Sequence, residues 1–364
     1  MENKINPSER ILSIDIFRGF TMFLLIGEFT GLYRHLSPNI FDSSILSAIF
    51  SQVHHHPWNG LHFWDLVQPY FMFIVGLSMP FAVQNRIKKG ATSHDIFVHV
   101  LKRSIILFLM GWALYCIGPG RITFRFQNVL AQIGVTYFIA YLVMNRSFKF
   151  QIIFSLGLLV LNDTLYQVFP VEGFNHPFVK KENFGAWLDL LYGGYNGWAA
   201  FNAIPTAAHT IWGVLVGKLL MSDQPAIKKL KQLIIAGVLL VVVGYSMDPF
   251  IPIIKKISTS SFVIVSGGWS ILTLALLYWI ADIKEWNKGW PLFFGVVSMN
   301  SLFIYLFSHV GGARFFERIL HPFTYALFDW GAELTAPVIT SILVWAALWG
   351  ICYWMYKKRL FIKI

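Results

Sequence analysis

Runs of about twenty apolar residues, broken by short polar connections, recur along the whole chain. They lie at 11–33, 61–84, 97–118, 127–145, 149–169, 201–221, 228–248, 261–281, 290–310 and 336–356. At a rise of about 1.5 Å per residue each reaches across a hydrocarbon core of about 30 Å. The pattern therefore predicts an all-α polytopic membrane helix bundle of about ten transmembrane helices. Two stretches break it. The fifth run carries Asn162 and Asp163, and the segment "RFFERILHPFTYALFDW" (314–330) has charges and aromatics on a helical period but is too polar to span, so it is expected to lie in the interface.

Composition agrees with this reading. The 364 residues are 56% hydrophobic and 17% aromatic, outside the range of an ordinary soluble domain. No Pro/Ser-rich linker or long charged run separates off a second region, so residues 1–364 read as a single membrane domain. The formal net charge of +11 resides largely in connections such as "NRIKKG", "KKLKQ" and the tail "YKKRLFIKI". By the positive-inside rule these face the cytoplasm, which places both termini there and the loops at 54–56 and 170–200 outside. The charge is thus explained by topology and attraction to anionic lipid, with no call for nucleic acid. Cys116 and Cys352 fall near opposite ends of their spans, too far apart for a disulfide within one chain. The first run, long and carrying Asp15 and Arg18, is not expected to be a cleaved signal.

Ionisable groups inside spans are costly unless paired or facing an aqueous cavity, so they carry the functional question. In "RILSIDIFRGFTMFLLIGEFTGLY", Asp15 and Arg18 share one helix face near the inner end, and an ion pair between them is one reading. Glu28 lies about 20 Å further along the axis, near the outer surface. There it meets the stretch "QVHHHPWNGLHFWD" (52–65), which brings His54, His55, His56, His62 and Asp65 to the same level. Imidazoles beside carboxylates are the usual equipment for a general base or a nucleophile. Adjacent histidines point in different directions and no spaced Cys or His completes a shell, so no metal is expected. The same groups would also suit the relay of a proton-coupled sugar or anion transporter.

Several motifs carry a family resemblance. "RILSIDIFRGFTM" resembles the opening motif of the heparan-α-glucosaminide N-acetyltransferase family, and "HHPWNGLHFWDLVQPYFMFIVGLSMPF" resembles its His-x-x-Trp-x-Gly signature followed by Asp and a Pro-aromatic helix. "QNVLAQIGVTYFIAYL", "AIPTAAHTIWGVLVGKLL", "IKKISTSSFVIVSGGWSILTLALLYWIAD" and "FFGVVSMNSLFIYLFSH" follow in the family's order, so the resemblance covers nearly the whole chain. It implies a bacterial-type enzyme of the inner membrane. Such an enzyme moves an acetyl group from cytosolic acetyl-CoA, a co-substrate, to the amino group of a glucosamine-type sugar or a glycosaminoglycan-derived saccharide on the far side. It admits a homodimer, and O-acylation of a surface glycan is an alternative use of the same machinery.

Carried over by position, the family histidine falls on His55, three residues before Trp58; Glu28 and Asp65, at the same membrane depth, are the candidate catalytic carboxylates beside it. Where many members have Asn at the outer end of the first helix, this chain has Glu28 and Phe29. His54, His56, Trp58, Lys255 and Lys256 are the candidates for holding the saccharide, the lysines because they stand in an outer loop before "STSSF" against the orientation bias. For acetyl-CoA the candidates are Arg18 with its neighbour Asp15, Lys102 and Arg103 at the inner face. Gln132, Asn300, Ser301 and His309 join them as polar groups facing the bundle interior.

Overall fold

The computed structural model describes residues 11–40, 43–192, 194, 197–286, 288–328 and 330–362. Arg10, which opens the first motif, lies outside them. No strand occurs among the described residues. The helices, in chain order, are α1 (Leu12–Phe29), α2 (Leu32–His35), α3 (Ser44–Ser51), α4 (Val67–Lys88), α5 (Ser93–Ile117), α6 (Val129–Met144), α7 (Phe148–Gln167) and α8 (Phe184–Leu191). They continue with α9 (Ala203–Met221), α10 (Ala226–Met247), α11 (Ser260–Tyr278), α12 (Trp290–Met299), α13 (Ser301–Phe307), α14 (Ala313–Phe328) and α15 (Thr335–Lys357).

Among the described residues seven helices are long and apolar enough to cross a membrane: Phe63–Lys88, Ser93–Ile117, Phe148–Gln167, Ala200–Met221, Ala226–Met247, Ser260–Ile283 and Thr335–Lys357. The other three expected spans are also helical but differ in character. α1 has 18 residues and carries Asp15, Arg18 and Glu28; α6 has only 16 residues; and the run at 290–310 is broken at Asn300, where the pair Trp290–Met299 and Ser301–Phe328 bends by 70°. Asn300 explains the break. Its φ/ψ of −123° and 30° leave the helical region, and its buried amide serves the C-terminal tail, donating to the Leu360 carbonyl at 3.0 Å and accepting from the Ile362 N–H at 3.1 Å. The polar segment expected in the interface forms α14, on which Phe315, Ile319, Phe323 and Leu327 make an exposed apolar stripe every fourth residue.

The chain folds as two compact units, one of His56–Leu61 and Gln68–Trp279, the other of Ile11–His55, His62–Val67 and Ile280–Ile364. In the first, α10 packs on α11, and α6 and α7 pack on α9. Small residues allow this closeness: a side chain at Gly213 of α9 would run into the Phe73 carbonyl of α4. Buried polar groups stitch the same helices. His209 Nε2 on α9 lies 3.0 Å from the Val263 carbonyl and 2.9 Å from Ser266 Oγ on α11, while the Trp212 indole donates to Ser155 Oγ of α7 at 3.0 Å. Asp163, whose place inside a span looked costly, accepts the Ser260 N–H at 3.2 Å and the Ser260 hydroxyl, with the Asn162 amide alongside. It thereby caps the start of α11. In the second unit α1 packs on α12 and α14 on α15. Asp282 caps α1 by accepting the Leu12 and Ser13 N–H groups at 2.8 and 3.0 Å.

Candidate active site

The His-rich stretch loses helical order after α3, and its side chains are placed by specific bonds rather than by a period. Gln52 braces the return of the chain. Its carbonyl accepts the Trp64 N–H at 2.9 Å and its side-chain oxygen accepts the Phe63 N–H at 3.0 Å. That brace brings the 3-10 turn Phe63–Leu66 back beside residues 54 and 55, so Asp65 stands ten positions along the chain from His55 yet in contact with it.

His55 Nδ1 lies 2.8 Å from Asp65 Oδ1, with the His55 side chain 34% exposed and Asp65 1% exposed. A carboxylate only accepts, so Nδ1 carries the proton and Nε2 carries the lone pair. The other carboxylate oxygen of Asp65 accepts the His62 N–H at 3.0 Å. His62 in turn donates from Nδ1 to the His54 carbonyl at 3.0 Å, and His54 Nε2 points to the Leu36 carbonyl at 3.4 Å. Trp64 lies tilted beside the His55 ring, with centroids 6.4 Å apart, and is itself packed edge-on by Tyr33 at 4.7 Å. A partly exposed imidazole held in one tautomer by a buried carboxylate is equipped to take a proton at Nε2 or to attack through it.

The adjoining residues, His56–Leu61, belong to the first unit. Three bonds fix them there: the Gly60 N–H to the Ile253 carbonyl at 2.8 Å, the Trp58 indole to the Phe178 carbonyl at 2.6 Å, and Lys256 Nζ to the Pro57 carbonyl at 2.9 Å. Gly60 has φ +141°, and a Cβ there would come 2.6 Å from His56 Nε2, so the turn requires glycine. Lys255 is buried, its ammonium 5.3 Å from the centre of the Trp198 ring. The hydroxyls expected to accompany the lysines face inward. Ser258 donates to the Lys255 carbonyl, Thr259 and Ser261 to the Pro252 carbonyl, and Ser260 to Asp163.

The other sequence candidates are more dispersed. Glu28 is exposed in the last turn of α1 and Asp15 and Arg18 are half-buried in its first turns. Lys102 is exposed and Arg103 half-buried on α5. Gln132 is buried, accepting from the Gln68 amide and donating to the Gln127 carbonyl at 3.4 Å. Asn300 serves the C-terminal tail, Ser301 is half-buried, and His309 lies between the rings of Phe29 (5.4 Å) and Tyr305 (5.7 Å). Sequence reading missed Gln52, Tyr33 and Trp64 as braces, and it missed Asp189. That buried carboxylate accepts from the Gln127 amide at 3.0 Å and the Ala200 N–H at 3.1 Å. Burial pushes the Asp189 carboxyl above its ordinary range, against the pull of those two bonds. Among the described residues no group of three His, Cys, Asp or Glu is arranged to hold a metal ion.

Seven apolar spanning helices together with this site define an integral membrane protein with a carboxylate-held histidine. No family model matches the chain. The heparan-alpha-glucosaminide N-acetyltransferase of Mus musculus is 24% identical to it over 100% of this chain and 62% of that protein. The Homo sapiens protein of the same name is 24% identical over 98% of this chain and 60% of its own length. The chain thus spans about three-fifths of the length of these curated relatives. The similarity to both is distant and extends over nearly the whole of this chain.

Proposed function

We propose that this protein is a transmembrane acyltransferase that moves an acetyl group from cytosolic acetyl-CoA to the amino group of a glucosamine-type sugar. In this reading residues 1–364 form one catalytic domain of about ten spans in a bacterial-type inner membrane, with both termini in the cytoplasm and the saccharide on the outer side. The observation that carries it is the 2.8 Å contact of His55 Nδ1 with buried Asp65, in a chain that resembles N-acetyltransferases over almost its full length.

The chemistry follows from the tautomer. The sugar amine attacks the thioester carbonyl carbon, the C–S bond breaks, and CoA leaves as a thiolate that takes up a proton. His55 Nε2 accepts the proton lost by the amine, and Asp65 stabilises the imidazolium that forms. In the two-step variant Nε2 attacks the thioester first and the acetyl-imidazole is then consumed by the amine.

The test is acetyl transfer by purified protein with labelled acetyl-CoA and a panel of amino sugars. We expect acetylated sugar and free CoA in equal amounts, and loss of about 10²-fold or more in His55→Ala with the melting temperature retained. Acetylation of hydroxyls on amine-free glycans would redirect the proposal to O-acylation. Sugar uptake into vesicles without acetyl-CoA, and no transfer, would replace it by transport.

A further inference from the structure

A second cluster of basic groups lies in the first unit, where α4 ends and α5 begins. Arg86 is in the last turns of α4, and His99 and Arg103 are one helical turn apart on α5. Arg86 Nη2 lies 2.7 Å from His99 Nε2. A guanidinium can only donate, so Nε2 is the acceptor and the ring proton of His99 sits on Nδ1. The Arg103 guanidinium carbon stands 5.0 Å from the centre of the Tyr137 ring of α6, and its Nε is buried with no hydrogen-bond partner. Both guanidiniums act electrostatically on the His99 ring. All three side chains are half-buried.

Among the described residues no acid answers these charges. Asp95, the one carboxylate of α5, is engaged at the helix start, where its Oδ2 accepts the Thr92 N–H at 2.9 Å and the Thr92 hydroxyl at 2.7 Å. Among the described residues no carboxylate lies within ion-pair distance of Arg86 or Arg103. Two half-desolvated cations near one imidazole repel each other, and the arrangement is stabilised when an anion occupies it. Guanidinium forks match the oxygens of a tetrahedral phosphate, to which each offers paired N–H donors.

We infer that Arg86 and Arg103, with His99, form a binding site for a phosphate group. The site stands on the guanidinium geometry. That the phosphate is one of those of the acyl donor rests on the function proposed above; the headgroup of an anionic phospholipid is the other source of the same chemistry. Exposed Lys102, which the sequence offered for this task, takes no part in the cluster.

The experiment measures binding to purified full-length protein in nanodiscs of purely zwitterionic lipid. Wild type, Arg86→Gln, Arg103→Gln and the surface control Lys89→Gln are titrated with CoA and with phosphate-free pantetheine. The expected result is a Kd for CoA raised about ten-fold or more by Arg86→Gln or Arg103→Gln, unchanged by Lys89→Gln, with pantetheine insensitive to all three. A parallel series in nanodiscs containing phosphatidylglycerol reads the lipid arm. If CoA binding is indifferent to both arginines but phosphatidylglycerol raises the melting temperature of wild type and not of the two variants, the phosphate is a lipid's. Should either variant fail to fold, phenylglyoxal labelling of Arg86 and Arg103 in wild type, read by mass spectrometry, gives the answer: CoA, inorganic pyrophosphate or phosphatidylglycerol should protect both residues. No protection by any of the three, or variants that bind CoA and respond to lipid as wild type does, would overturn the site. A failure of the proposed function looks different, because CoA would not bind wild type while pyrophosphate or lipid still protected the arginines.

Discussion

Two buried carboxylates, one in each unit, show how similar surroundings serve different ends. Asp65 and Asp163 are both almost sealed from solvent, and each accepts a backbone N–H at the start of a helical segment, Asp65 from His62 and Asp163 from Ser260. Their second partners separate them. Asp163 is completed by the Ser260 hydroxyl and the Asn162 amide, groups that do not titrate near neutrality, and its bonds to Ser260 hold α7 to α11. Asp65 is completed by a histidine whose side chain is 34% exposed and able to exchange a proton with a substrate. Burial of an acid by itself therefore does not single out a candidate site; an accessible imidazole held by that acid does.

The comparison can be broken most directly at the acids themselves. Asp65→Asn should lower acetyl transfer by about 10²-fold or more, because the amide no longer fixes the proton on Nδ1 of His55. The check is steady-state turnover beside a melting curve, and a turnover within about three-fold of wild type would remove Asp65 from the mechanism. Asp163→Ala should do the reverse. It leaves the Ser260 N–H and hydroxyl without an acceptor, at a cost of about 1–3 kcal/mol in stability, while turnover per folded molecule stays near wild type. Equal damage to turnover from both substitutions would mean that the distinction drawn from their partners is wrong.

A smaller effect comes from pH, with opposite signs in the two units. Asp189 has its carboxyl raised by burial, so the folded state holds that proton more tightly than the unfolded chain. Its contribution to stability is greatest in acid and declines as pH rises through the raised value. His35, in the second unit, has its pKa lowered by burial and by Arg34, partly offset by Glu317. Here the unfolded chain binds the proton better, so stability is lost as pH falls below the ordinary imidazole range. In melting curves over pH, Asp189→Asn should remove a fall in stability that begins as pH rises above the ordinary carboxylate range, and His35→Gln one that begins as pH drops below the ordinary imidazole range. The smallest effect is expected from Lys256→Met, which removes an exposed bond to the Pro57 carbonyl and should change stability by less than about 1 kcal/mol in a thermal melt.

The sequence by itself determined the class of fold, because lengths of apolar residues long enough to span lipid force the backbone into helices that satisfy their own hydrogen bonds. It also carried the helical period of α14, which has an exposed apolar stripe, and the neighbourhood of the candidate site, since the concentration of histidines at 54–62 is a local property. Tertiary structure decided which ring of the triplet meets which acid. Residues 52–62 follow no regular period, so the direction of each imidazole is set by the Gln52 brace and the return of the Phe63–Leu66 turn, neither of which has a sequence signature. It also turned Asn300 to the tail, the hydroxyls of 258–261 inward, and Arg86 onto His99 thirteen residues away. A polar side chain in a membrane helix must find a partner, and the chain reveals that need but not the partner, which is fixed only when the helices pack.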